Sequence, residues 1–128
     1  MKPRLPRPTD AELAILRVLW ERGPSTVRQV HESLSDDRAI GYTTALKLMQ
    51  IMADKGLVER DETDRTHVYA PRRSEEHTQR QLLQDLLDRA FGGSSLKLVM
   101  QALSSKKASP EELAQIRQLL DDRERGTR

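Results

Sequence analysis

The sequence predicts a mainly α protein with one small β-hairpin: a winged helix-turn-helix domain followed by a helical dimerisation domain. Three observations carry that expectation. Apolar residues recur at helical spacing in three successive stretches before Gly56, and two short strand-like runs around a polar turn follow. Beyond Arg73, leucines recur at helical spacing in a segment too short to bury them alone. The chain has 128 residues, 36% hydrophobic and 33% charged, which suits one domain, or two very small ones, with little material for a large interior.

Residues 1–8, rich in Pro and Arg, read as a flexible basic arm. Thr9-Asp10-Ala11-Glu12 then spells a capping box. Leu13, Leu16 and Trp20, widened by Ile15 and Leu19, form the apolar stripe of a first helix that Gly23-Pro24 stops. Trp20 is expected to plug the core between helices, and Tyr69 to pack a wing strand against the first helix with its hydroxyl at the edge. Ser25 is placed to cap a short second helix carrying Val27, Val30 and Leu34, and Ser35-Asp36-Asp37-Arg38 reads as a polar loop. From Gly41 to Lys55, Ala45, Leu48, Met49 and Met52 line one face of a third helix, while Thr43, Lys47, Gln50 and Asp54 line the other. Gly56 ends it. Residues 57–60 and 66–70 are the strands of a hairpin around the polar turn 61–65, so the winged-helix domain spans 9–72.

Ser74, followed by Glu75 and Glu76, puts a hydroxyl cap and two acids at a helix N-terminus, where the macrodipole favours them. Leu82, Leu83, Leu86, Leu87, Ala90 and Phe91 give this helix a strong apolar face, and Gly92-Gly93 breaks it. Leu96, Val99 and Leu103 carry a shorter helix. Ser109-Pro110-Glu111-Glu112 is a capping box with Pro at the first helical position, and Leu113, Ile116 and Leu120 follow. Three helices of about 17, 10 and 14 residues would fill a domain over 73–124, with fraying from Asp121 and a flexible tail at 125–128. Pairing with the same segment of a second copy is the economical way to cover these leucines; folding back on the first domain is the alternative.

Charge sharpens the functional reading. A pI near 9.1 reflects only 22 basic against 20 acidic residues, too thin an excess to make a nucleic-acid footprint by itself. Through Arg73 there are 13 basic and 11 acidic residues, and afterwards 9 of each, so the whole excess lies in the first half. Affinity for DNA should therefore rest on two copies binding together. The absence of cysteine excludes a disulfide framework and any thiolate metal site. His31, His67 and His77 have no ligand spacing, and neither a phosphate loop nor a nucleophile–base set can be argued, so no metal, cofactor or enzymatic activity is expected. With no spanning apolar run and no signal-peptide core, the chain reads as cytoplasmic.

A helix-turn-helix inserts its recognition helix into the major groove by the N-terminal end. Thr43 and Thr44 offer hydroxyls and methyls there, Lys47 a donor for guanine or phosphate, and Gln50 a bidentate partner for adenine. Tyr42 either touches a phosphate or covers the helix start. Ser25 and Thr26 at the second helix N-terminus, with Arg28 a turn further in, are candidates for holding phosphate. On the wing the candidates are Arg60, Arg65, Thr66 and His67; for Arg65 a local ion pair with Asp61, Glu62 or Asp64 is the alternative. Arg4 and Arg7 are candidate minor-groove residues. A competing reading is a winged-helix module that binds a protein without DNA specificity, favoured by the near-neutral charge and by Leu46 and Ile51 flanking the outward stripe.

These residues also carry a resemblance. Asp10-Ala11-Glu12-Leu13, Val18-Leu19-Trp20, Thr26-Val27-Arg28-Gln29-Val30-His31, Tyr42-Thr43-Thr44-Ala45-Leu46, Lys55-Gly56-Leu57-Val58 and Arg65-Thr66-His67-Val68-Tyr69 resemble the BlaI/MecI/CopY family of bacterial winged-helix repressors. Phe91-Gly92-Gly93-Ser94 and Ser109-Pro110-Glu111-Glu112-Leu113 extend the likeness over roughly residues 9–120. The resemblance implies a homodimeric repressor on a palindromic operator, with C-terminal helices making the dimer. In the best-known members a membrane metalloprotease sensor cuts those helices between Asn and Phe; Gln101 and Ala102 stand in the matching place here, allowing a one-residue gap, which departs from that pattern. Copper-responsive members carry a C-terminal cysteine cluster, which a chain without cysteine lacks. Members often have arginine where Leu46 or Ile51 stands, so this recognition helix is less cationic.

Overall fold

A computed structural model describes residues 7–34, 39–105 and 107–126; Arg4, the 35–38 loop and residues 127–128 of the expected tail lie outside the described residues. Three helices, α1 (Asp10–Arg22), α2 (Val27–Ser33) and α3 (Tyr42–Lys55), precede an antiparallel hairpin of β1 (Val58–Asp61) and β2 (Val68–Pro71). Three more follow: α4 (Glu75–Ala90), α5 (Ser95–Ser105) and α6 (Pro110–Gly126). This is the mainly α arrangement with a small hairpin that the sequence predicts.

Local chemistry sets each boundary. Thr9 caps α1, its hydroxyl accepting from the Glu12 amide while the Glu12 carboxylate accepts from the Thr9 amide at 2.9 Å. The cap of α2 is Thr26 rather than Ser25: Thr26 and Gln29 close a second reciprocal box. Ser25 is instead buried, donating its hydroxyl to the Gly23 carbonyl and pairing its backbone with Tyr69 in an isolated antiparallel bridge. Gly56 closes α3 in the left-handed region at φ 81°, with the Leu57 amide donating back to the Met52 carbonyl. That bond occupies Leu57, so β1 begins at Val58, one residue later than its spacing suggests. A Cβ at position 56 would meet only ordinary contact, 3.5 Å from Arg72 Nη1, so Gly56→Ala tests backbone conformation alone. Chemical denaturation should show a loss of about 1 kcal/mol; an unchanged midpoint would mean that α3 can end another way.

The first core joins all three early helices to the hairpin. Ile15, Leu16 and Leu19 from α1, Val27 and Val30 from α2, and Ala45, Met49 and Met52 from α3 meet Val58 and Tyr69. Hairpin register pairs Val58 with Pro71 and Arg60 with Tyr69, so these four share one face, on which Val58 and Tyr69 are buried and Arg60 is exposed. Tyr69 is the largest fully buried side chain and fastens β2 beneath α1. Trp20 sits at the margin of this core, half-buried rather than plugging its centre, and its indole donates to the Arg73 carbonyl at 3.0 Å.

The chain divides into two compact units, residues 1–82 and 83–128. The first extends past the 72/73 boundary expected from sequence, because Thr78 in α4 is buried within it. Ser74 caps α4 as expected, the Gly92–Gly93 pair turns the chain out of it, and Ser94 caps α5. Ser109 caps α6, which runs on to Gly126 past the expected fraying point. Arg123 and Arg125 suit the C-terminal dipole there, and Gln118 donates to Asp122 one turn on.

Candidate nucleic-acid interface

The core face of α3 fixes what its other faces present. Ala45, Met49 and Met52 are fully buried, so at about 100° per residue Thr43, Lys47, Gln50 and Asp54 must face outward. All four are exposed, as is Thr44. Tyr42, one residue into the helix, is 45% exposed and meets the His31 ring edge-on, with centroids 6.0 Å apart, which ties the start of α3 to α2.

Beside this stripe, α2, α3 and the wing enclose an open cavity of about 310 Å3. Thr26 and Arg28 from α2 line it with Tyr42 and Gln50 from α3, and Arg65, Thr66 and His67 close it from the wing. Seven of the sequence-derived candidates therefore converge on one concavity. Val27, Leu46 and Tyr69 form the rest of its lining. The expected set omits Leu46, although its spacing of four from both Tyr42 and Gln50 puts the three on one flank of α3. Thr43, Thr44 and Lys47 lie outside the cavity on the neighbouring surface. Ser25 is a correction: fully buried, with its hydroxyl committed to Gly23, it presents nothing to a phosphate and instead positions the start of α2 against β2.

The wing's ion pairing separates its two arginines. Arg60 Nε is 2.7 Å from a Glu62 carboxylate oxygen, and the adjacent Tyr69 side chain, followed by Glu62, raises its already high pKa. Asp61 accepts from both the amide and the hydroxyl of Thr63, which folds the turn and lowers its pKa. With two carboxylates so engaged, Arg65 has no ion-pair partner among the described residues; neither do Arg28 and Lys47. The local pairing considered as the alternative for Arg65 is not formed. Arg7 is exposed and has an interaction of its own.

The second unit presents a different surface. No side chain of α5 or α6 is buried. Leu83, Leu86, Leu96, Val99, Leu103 and Leu120 are all at least 41% exposed, whereas Leu87, Phe91, Leu113 and Ile116 are half-buried, as is Leu82 at the end of the first unit. Met100 and Leu119, at 58% and 67% exposure, belong to the same apolar surface and are missing from the expected set. Their spacings, four beyond Leu96 and three beyond Ile116, are the signal that would have included them. Gln101 and Ala102 are exposed near the end of α5. Among the described residues no cluster of three potential metal-binding side chains occurs, and no helix is long and apolar enough to cross a membrane.

Comparison with known proteins adds to this geometry. Residues 8–122 match the family model described as penicillinase repressor. Proteins called transcriptional regulator BlaI, from Mycobacterium tuberculosis strains CDC 1551 / Oshkosh and ATCC 25618 / H37Rv, are each 41% identical over 93 residues, covering 72% of this chain and 67% of theirs. The penicillinase repressor of Bacillus licheniformis is 24% identical over 119 residues, 93% of each chain.

Proposed function

The chain belongs to the penicillinase-repressor family of DNA-binding transcriptional regulators, and from that premise we propose that it acts as a homodimeric, sequence-specific repressor. Residues 43–55 enter the major groove of a palindromic operator, and the wing, residues 57–70, rests on the backbone. The helices of the second half pair two copies. The observation that carries this reading is the convergence of α2, α3 and the wing on one concavity, lined by Arg28 and Arg65 with Lys47 beside it, none of which has a carboxylate partner among the described residues. Such cations complement phosphate, while the exposed hydroxyl and amide groups of Thr43, Thr44 and Gln50 suit base edges. Arg60, already paired with Glu62, contributes less than Arg65.

Two substitutions test the groove assignment. Lys47→Ala should weaken operator binding by about 1–3 kcal/mol, and Arg65→Ala should reduce the salt slope by about one for each copy bound. Footprinting across a salt series reads both effects. Variants indistinguishable from the parent would remove α3 from the groove, and a parent that protects no reproducible palindrome would favour a protein-binding module instead.

Release of the repressor is proposed to follow cleavage near Gln101 and Ala102, or another signal at the dimer helices. Both residues are exposed, but they lie within the hydrogen-bonded body of α5. A protease that takes extended backbone must therefore meet a locally unwound α5, so release is coupled to the stability of that helix.

A further inference from the structure

One flank of α3 is more apolar than a phosphate-contacting surface requires. Leu46 is half-buried against the core, yet it also lines the open cavity, one turn beyond Tyr42 and one turn before Gln50. Val27 and Tyr69, 6% and 1% exposed, lie beneath it, so Leu46 is the aliphatic group this cavity presents, among the polar side chains of Gln50, Thr66 and His67 and the cations Arg28 and Arg65. One aliphatic side chain beside cations that have no ion-pair partner among the described residues fits a ligand that offers anionic edges and a small apolar group between them. In the major groove only thymine offers such a group, its 5-methyl. We propose that Leu46 is a specificity-determining residue that packs against a thymine methyl in each half-site. This rests on the DNA-binding reading above and deepens it.

Position on the helix supports Leu46 over the other exposed aliphatic side chain of α3. Ile51 is 37% exposed, but it lies on the opposite flank and more than a turn nearer the C-terminus. A recognition helix is inserted by its N-terminal half, which holds Leu46. Gln50 stands about 6 Å further along the same flank, by the rise of an α-helix, a span of one to two base-pair steps. The methyl that Leu46 reads should therefore lie within two base pairs of the position that Gln50 reads.

The test removes the methyl from the DNA, which leaves the folding of the protein untouched. Duplexes selected by the full chain from a random pool supply the operator, and each thymine of a half-site is replaced in turn, symmetrically, by deoxyuridine. At one position the parent should lose about three- to five-fold in affinity per half-site, the value of one buried methyl. Leu46→Ala should bind the two duplexes equally, whereas Leu46→Met and Ile51→Ala should keep the parent's preference. Selected duplexes that the parent binds equally well with uracil overturn the role of Leu46 alone. So does a methyl preference that persists in Leu46→Ala. A chain that selects no sequence overturns the DNA-binding reading along with it.

Discussion

Leu86→Asp should yield a monomer in analytical ultracentrifugation and lower operator affinity by about 100-fold or more. Leu86 is 49% exposed in the single chain, so an aspartate there remains hydrated and the fold of the monomer is little disturbed. In a dimer that covers the leucine face the same carboxylate would be stripped of water without a partner, which costs several kcal/mol. The substitution thus acts on assembly far more than on folding. Two such sites occur in a symmetric interface, which doubles the penalty.

Operator affinity falls because the charge supply is so thin. The net charge of +2 comes from the half that holds the winged helix, whose wing also carries Glu59, Asp61, Glu62 and Asp64. A single copy has few phosphate contacts with which to displace counterions, and the second half-site becomes effectively intramolecular only when two copies are joined. Leu86→Met should remain dimeric and bind like the parent. A Leu86→Asp protein that sediments as a dimer would move the interface from α4 to α5 and α6, where Leu96 and Leu119 are more exposed still.

Much of this architecture was legible in the sequence because short-range chemistry dictates it. The Thr9–Glu12 box, the Ser74 and Ser109 caps and the Gly56 stop depend on atoms within a few residues of each other, and the helices form where those signals stand. The apolar faces of α1 and α3 likewise follow from spacing alone. Sequence misleads where a distant strand competes for a local group. Ser25 has the residue type of a cap, but the backbone of Tyr69 claims its position and the capping role passes to Thr26. The site was partly legible for the same reason. Exposed polar residues of α3 follow from its period, whereas the cavity exists only because β2 returns beside α2 and brings Arg65 and His67 to Leu46. Which wing arginine has no ion-pair partner among the described residues depended on the turn: Thr63 takes Asp61 and Arg60 takes Glu62, and neither choice can be read from the order of the residues.

The ion pair between Glu12 and Lys55 should hold α3 in place, and Lys55→Met should lower stability by about 2 kcal/mol. Glu12 is 1% exposed; its carboxylate accepts from the Thr9 amide and from Lys55 Nζ, which lies 2.9 and 3.0 Å from its two oxygens. The pair joins the start of α1 to the end of α3, across 43 residues of sequence. Its two members are not equivalent. Lys55 is 35% exposed at the side chain and can turn to water if Glu12 is lost, but Glu12 has no such escape. Removing the lysine therefore strands a buried charge, while Glu12→Gln keeps an acceptor for the Thr9 amide and should cost only about 1 kcal/mol. For a unit of this size the lysine variant should melt about 10 °C below the parent. In the double variant the stranded charge is gone, so Lys55→Met should cost less in the Glu12→Gln background than alone, a coupling that a double-mutant cycle measures directly. If the two losses simply add, the pair contributes no more than a surface bridge, and the register of α3 against α1 rests on the packing of Ala45, Met49 and Met52.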